Sequence, residues 1–177
     1  MSQQYFTDTE WAILLQAPMK AIQLVTLADK ADPVSFLKET RVAIETLVSE
    51  QQQGTSSDLV NALLADLKGA DAAESIQGEE LLLKKLFQYL GEIQNFKDAN
   101  TGRTQSLEHL KQVASILKAK VTLNQAQEFR QWIVSLATKV AEAVKEGGLL
   151  GGIGGERISG DEASAIKKIE QALELTK

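Results

Sequence analysis

The amino-acid sequence predicts an all-α protein, a compact bundle of about seven helices in a single domain over residues 1–177. Strong helix formers, above all Ala, Leu, Glu, Lys and Gln, dominate the chain. In one segment after another, apolar residues recur three or four positions apart, which is the spacing of one helical face. No segment shows sustained alternation of apolar and polar residues, so we predict no strands.

Start signals mark the first two helices. Thr7 and Glu10 form a capping box, in which each side chain bonds the other residue's backbone amide. Pro18 lies inside the first apolar stripe and is expected to kink or split that helix, because proline removes a backbone donor. Asp32 and Pro33 predict a second start, since Asp caps the free amides and Pro fits the first helical position.

The middle of the chain shows three further apolar stripes. Ser56 or Ser57 is expected to cap the third helix, and residues 69–78, rich in small and acidic residues, are expected to form a loop. A leucine-rich fourth helix follows. Residues 98–103 are expected to form a turn before the fifth helix.

The sixth helix is expected to begin at Asn124 and to stop at Gly147. Ser159 and Glu162 form a second capping box, which begins the last helix. The first and sixth helices carry the same apolar spacing, so residues 7–50 and 125–177 form a candidate internal repeat around a pseudo-twofold axis. The alternative is that any two amphipathic helices share this spacing. The two stripes are Trp11, Leu14, Leu15, Pro18, Ile22 and Val25, and Phe129, Trp132, Ile133, Leu136, Val140 and Ala143.

Composition excludes several classes of function. The formal net charge of -5 disfavours nucleic acid and anionic lipid, which need a basic patch. The absence of cysteine excludes disulfides and thiolate metal sites, and one histidine, His109, excludes multi-histidine zinc sites. No run is apolar enough to span a membrane and no signal peptide is recognisable, so we expect a cytoplasmic protein.

The glycine-rich segment after the sixth helix is the strongest local oddity. Three interpretations are open: a helix hairpin whose apolar residues fold back onto the core, a hydrophobic tip for a protein partner, or an anion site built from backbone amides. It lacks the lysine and hydroxyl residue of a P-loop, and no predicted strand precedes it. The candidate residues are Gly147, Gly148, Leu149, Leu150, Gly151, Gly152, Ile153, Gly154, Gly155, Arg157 and Ser159.

A second candidate site lies between the first two helices. Asp29, Asp32 and Glu39 are carboxylates, the ligands that hard divalent cations prefer. Their spacing does not match a calcium-binding loop, and Asp32 also serves as a helix cap. We therefore weigh a divalent-cation site there against a purely structural role.

Two stretches resemble the tellurite-resistance TerB-like helical proteins. In residues 21–39, an apolar helix ends in Ala28-Asp29 and a capped helix with an early acid follows. Residues 129–173 are similar to the C-terminal part of uncharacterised bacterial proteins of that kind, in their paired glycines and in Ser159 with Glu162. The family has glycine where this chain has Lys30. The resemblance implies an all-helical, bacterial, cytoplasmic protein linked to stress or metal-oxyanion response.

No set of residues with catalytic spacing is recognisable, so the sequence favours a non-enzymatic protein without a cofactor. The expected function is contact with a protein partner, and the oligomeric state stays open. The alternative is a protein that binds a divalent cation or a small anion.

Overall fold

The computed structural model describes residues 5–29, 32–73, 75–147 and 158–175. These ranges contain seven helices and no strands, which confirms the predicted fold class. The helices are α1 (Asp8–Thr26), α2 (Pro33–Gln52), α3 (Asp58–Ala73), α4 (Gly78–Gln94), α5 (Ala99–Lys120), α6 (Leu123–Gly147) and α7 (Gly160–Ala172).

The predicted caps are confirmed at both ends of the chain. Thr7 accepts the amide of Glu10, and the Glu10 carboxylate accepts the amide of Thr7 at 2.8 Å. Ser159 and Glu162 form the same reciprocal pair at the start of α7. The Asp32 carboxylate accepts the amides of α2's first turn. Each cap satisfies backbone donors that have no partner inside their helix.

Two predicted loops are wrong because helices extend into them. Helix α3 continues through Gly69 to Ala73, since a single glycine costs only about 1 kcal/mol in a helix interior. Helix α5 begins at Ala99, because Asp98 caps it by accepting the amide of Thr101 at 2.7 Å. Gly102 is therefore helical and buried.

Helix α1 continues through Pro18. It is one helix from Asp8 to Thr26, so the predicted split near Gln16 is wrong, while the alternative of a kink stays a prediction. Pro18 is buried, as are Leu14 and Ala17 before it and Ala21 after it. The apolar area that this face removes from water outweighs one missing backbone hydrogen bond.

Helices α1 and α6 lie at the centre of the bundle. Helix α1 packs on α2, α5, α6 and α7, while α6 packs on α1, α2, α5 and α7, with α3 alongside. Helix α2 follows α1 in the chain but packs mainly on α6, and α7 follows α6 but also packs on α1. A pseudo-twofold axis would produce this exchange of partners. The internal repeat nevertheless stays a prediction. Within the described ranges, no helix is long and apolar enough to cross a membrane.

Candidate functional site

The structure joins one residue from each of the two sites that the sequence proposed separately. Asp29 follows the end of α1, and Ser159 precedes α7. The Ser159 hydroxyl donates a hydrogen bond to Asp29 at 2.9 Å, although the two residues are 130 positions apart. This bond ties the end of the glycine-rich segment to the turn between α1 and α2.

Four carboxylates surround this bond, and we call them the acidic cluster: Asp29, Asp32, Glu39 and Glu162. Glu39 is half-buried, and burial raises its pKa, with further contributions from the nearby Glu162, Asp29 and Asp32. Hydrogen bonds from the side chain and amide of Ser35 lower the pKa of Asp32 instead. The cluster therefore concentrates negative charge where α1, α2 and α7 meet.

The oxygens of the acidic cluster are largely occupied by local partners. Asp32 accepts amides of α2, Glu162 accepts the amide of Ser159, and Asp29 accepts the Ser159 hydroxyl. Among the described residues, no three His, Cys, Asp or Glu side chains are arranged to hold a metal ion. The divalent-cation site at Asp29, Asp32 and Glu39 stays a prediction.

The glycine-rich segment is bounded by described structure on both sides. Helix α6 ends at Gly147, as predicted, and Ser159 is the cap of α7. Residues 148–157, which include the remaining candidate glycines, Leu149, Leu150, Ile153 and Arg157, lie outside the described residues.

A cavity of about 300 Å³ lies between α1, α5 and α7, and we call it the α5–α7 cavity. It adjoins the acidic cluster, because Ala28 and Asp161 belong to its lining. Its apolar lining consists of Leu24, Ala28, Leu107 and Ala165. Its polar lining consists of Asn100, Arg103, Thr104, Asp161, Ser164 and Lys168. No pattern in the sequence relates these residues, since α5 and α7 meet only in the folded chain.

A second cavity, of about 340 Å³, lies between α2, α3 and α6. The buried Glu50 carboxylate pairs there with Lys139. Trp132 also lines this cavity, and its buried indole N–H has no hydrogen-bond partner among the described residues. The other tryptophan of the chain, Trp11 in α1, donates its indole N–H to Asp66 at 2.7 Å.

His109 has a structural role in the interface between α1 and α5. Its Nε2–H donates to the backbone carbonyl of Ile13 at 2.8 Å, since a carbonyl oxygen can only accept. The imidazole is half-buried, and burial lowers its pKa. The neutral ring with its proton on Nε2 is therefore the form that this contact needs.

Helix α4 leaves apolar residues uncovered. Leu83 is 39% exposed, Phe87 is 68% exposed, and Gly91 next on the same face is exposed as well. These three residues are spaced i, i+4, i+8, so they form one line along the helix, which we call the α4 stripe. The signal was present in the sequence: α4 carries more leucines than one helical face can hold.

No family model, curated protein or solved structure matches this chain. Its function must therefore be argued from the features described above.

Proposed function

We propose that this chain is a non-enzymatic helical module that acts through protein contacts, and that the α4 stripe docks a second copy of the chain. The observation that carries this proposal is Phe87, a large aromatic side chain left 68% exposed on a helix surface. Removing a phenylalanine side chain from water stabilises an interface by about 1.5–3 kcal/mol, so this ring favours association.

The packing of α4 supports a further partner. This helix packs mainly on α2, and only Lys85 and Tyr89 among its residues are buried. The apolar surface of α4 is larger than the part that the rest of the chain covers. Such an uncovered apolar surface is typical of a contact site for another protein. Its half-buried apolar residues are Leu81, Leu82, Leu86, Leu90 and Ile93.

The shape of the stripe is self-complementary. Phe87 projects from the helix, and Gly91 one turn later leaves a depression because it has no side chain; apart from its own stretch of helix, no described atom lies within 4 Å of the position that a Cβ would take there. In an antiparallel pair of α4 helices, Phe87 of each copy packs over Gly91 of the other. In a twofold interface the same surface patch of both copies is in contact, so every contact between two different residues occurs twice.

Two further observations support the non-enzymatic role and the bacterial setting that we propose. His109 is engaged by the Ile13 carbonyl, which favours a structural role over a catalytic one. The resemblance to TerB-like proteins supports a bacterial stress or metal-oxyanion response as the setting of these contacts.

Sedimentation equilibrium tests the proposal directly. We expect the wild-type chain to form a dimer, and Phe87→Ser to weaken it about a hundredfold or more, because two rings are lost per dimer. The control is Leu123→Ser, which removes an apolar side chain that is 79% exposed on a different helix, at the start of α6. A wild-type monomer at all concentrations, or equal weakening by both variants, would contradict the proposal.

A second pair of variants separates docking from stability. Gly91→Gln is expected to stabilise the monomer, since glycine is a poor helix former, yet to weaken the dimer by filling the depression. Gly69→Gln makes the same change at an exposed, open position inside α3 and should leave the dimer intact. If Gly91→Gln leaves the dimer unchanged, the antiparallel arrangement is wrong.

A further inference from the structure

We propose that the α5–α7 cavity is a binding site for a small monocarboxylate, held by Arg103 and Lys168. The two cations come from different helices and line the same cavity of about 300 Å³. This site is separate from the α4 stripe, and it uses residues that the sequence analysis did not single out.

The Arg103 guanidinium is held in place by the protein. One of its terminal nitrogens donates to the carbonyl of Leu27, the residue that ends α1. A guanidinium has five N–H donors in a planar fork, so this bond leaves others for a ligand. The fork matches the two oxygens of a carboxylate.

Lys168 supplies a second positive charge. Within the described part of the chain, neither Lys168 nor Arg103 forms an ion pair with a carboxylate. Asp161 lines the same cavity but lies seven residues before Lys168 on α7, which is about 10 Å along the helix axis. No ion pair joins Asp161 and Lys168 among the described residues, so the ammonium is available to an anion.

The rest of the lining limits the kind of anion. Leu24, Leu107 and Ala165 offer apolar surface for a short carbon chain, and the volume is at the lower end for small-molecule sites. Asp161 and the nearby acidic cluster repel anions, and they repel a doubly charged anion more strongly than a singly charged one. The cavity therefore fits a singly charged acid with a short aliphatic part better than phosphate or a dicarboxylate.

Calorimetric titration with butyrate tests this proposal, with inorganic phosphate and n-butylamine as matched probes. Butyrate is expected to bind, phosphate to bind more weakly, and n-butylamine, which has a similar chain and the opposite charge, not to bind. Equal binding of n-butylamine would show that only the apolar lining matters and would overturn the proposal. Phosphate binding as tight as butyrate would overturn the monocarboxylate assignment.

Variants on α7 locate the site. Lys168→Ala is expected to weaken butyrate binding about tenfold, the value of one charged hydrogen bond. Lys167→Ala changes the net charge equally at a neighbouring exposed residue outside the cavity lining and should have little effect. Asp161→Asn should strengthen binding, because it removes a repulsive charge. If both lysine variants weaken binding alike, the attraction is general and the proposed site is wrong.

Discussion

Helices α1 and α4 contain similar apolar runs but have opposite surroundings. Residues 13–15 of α1 are Ile-Leu-Leu, and residues 81–83 of α4 are Leu-Leu-Leu. In α1, Leu14 is fully buried, and five other helices pack around α1. In α4, Leu83 is 39% exposed. An apolar run thus predicts how much apolar surface has to be buried. The fold decides whether other helices of the same chain bury it.

The largest expected difference between the two helices is in stability. Leu14→Ala should lower the free energy of unfolding by about 2–5 kcal/mol, since it leaves a cavity in the core. Leu83→Ala should change it by less than about 0.5 kcal/mol, as is usual at exposed sites. Urea denaturation at low protein concentration measures both. A large loss from Leu83→Ala in the monomer would mean that α4 is covered after all.

Two glycines sharpen the same comparison. Gly91→Ala in α4 should stabilise the protein by about 1 kcal/mol, because the position is open and alanine favours the helix. At Gly102 in α5, a Cβ would lie 2.6 Å from the Phe96 ring and 2.9 Å from Leu27 at the end of α1. Overpacking costs about 1–3 kcal/mol, so Gly102→Ala should give a net loss of up to about 2 kcal/mol. Thermal unfolding shows whether each variant raises or lowers Tm. If both variants raise Tm, the end of α1 packs loosely against α5.

The smallest expected effect concerns the acidic cluster at the end of α1. Because the pKa of Glu39 is raised in the folded protein, its charged form costs stability at neutral pH, and this cost vanishes as the pH falls below its ordinary pKa. Glu39→Gln should therefore raise Tm at pH 7 and have no such benefit near pH 3.

Asp98→Asn is expected to change Tm at neutral pH in the opposite direction, that is, to lower it. The amide of Thr101 lowers the pKa of Asp98, so this charged cap stabilises α5 at neutral pH and loses its contribution in acid. Thermal unfolding of both variants over this pH range tests the assignment. A Glu39→Gln effect that is independent of pH would show that burial and the neighbouring carboxylates do not raise the pKa of Glu39.

The two tryptophans show how far sequence reasoning reaches into the candidate sites. Each lies on the apolar stripe of its helix, which predicted correctly that both would be buried. Their polar ends differ: Trp11 bonds Asp66 of α3, whereas the Trp132 N–H has no partner among the described residues. Apolar spacing predicts which face turns inward, but a side-chain partner on another helix depends on how the helices are arranged.

The sequence by itself determined the helical class and most helix starts, because a cap such as Thr7 with Glu10 acts within one turn of the chain. It also marked Asp29 and Ser159 as noteworthy without relating them. Only the tertiary structure joined these two residues across 130 positions, formed the α5–α7 cavity from three helices, and left Phe87 uncovered. Contacts of that kind depend on the path of the whole chain, which short-range spacing does not encode.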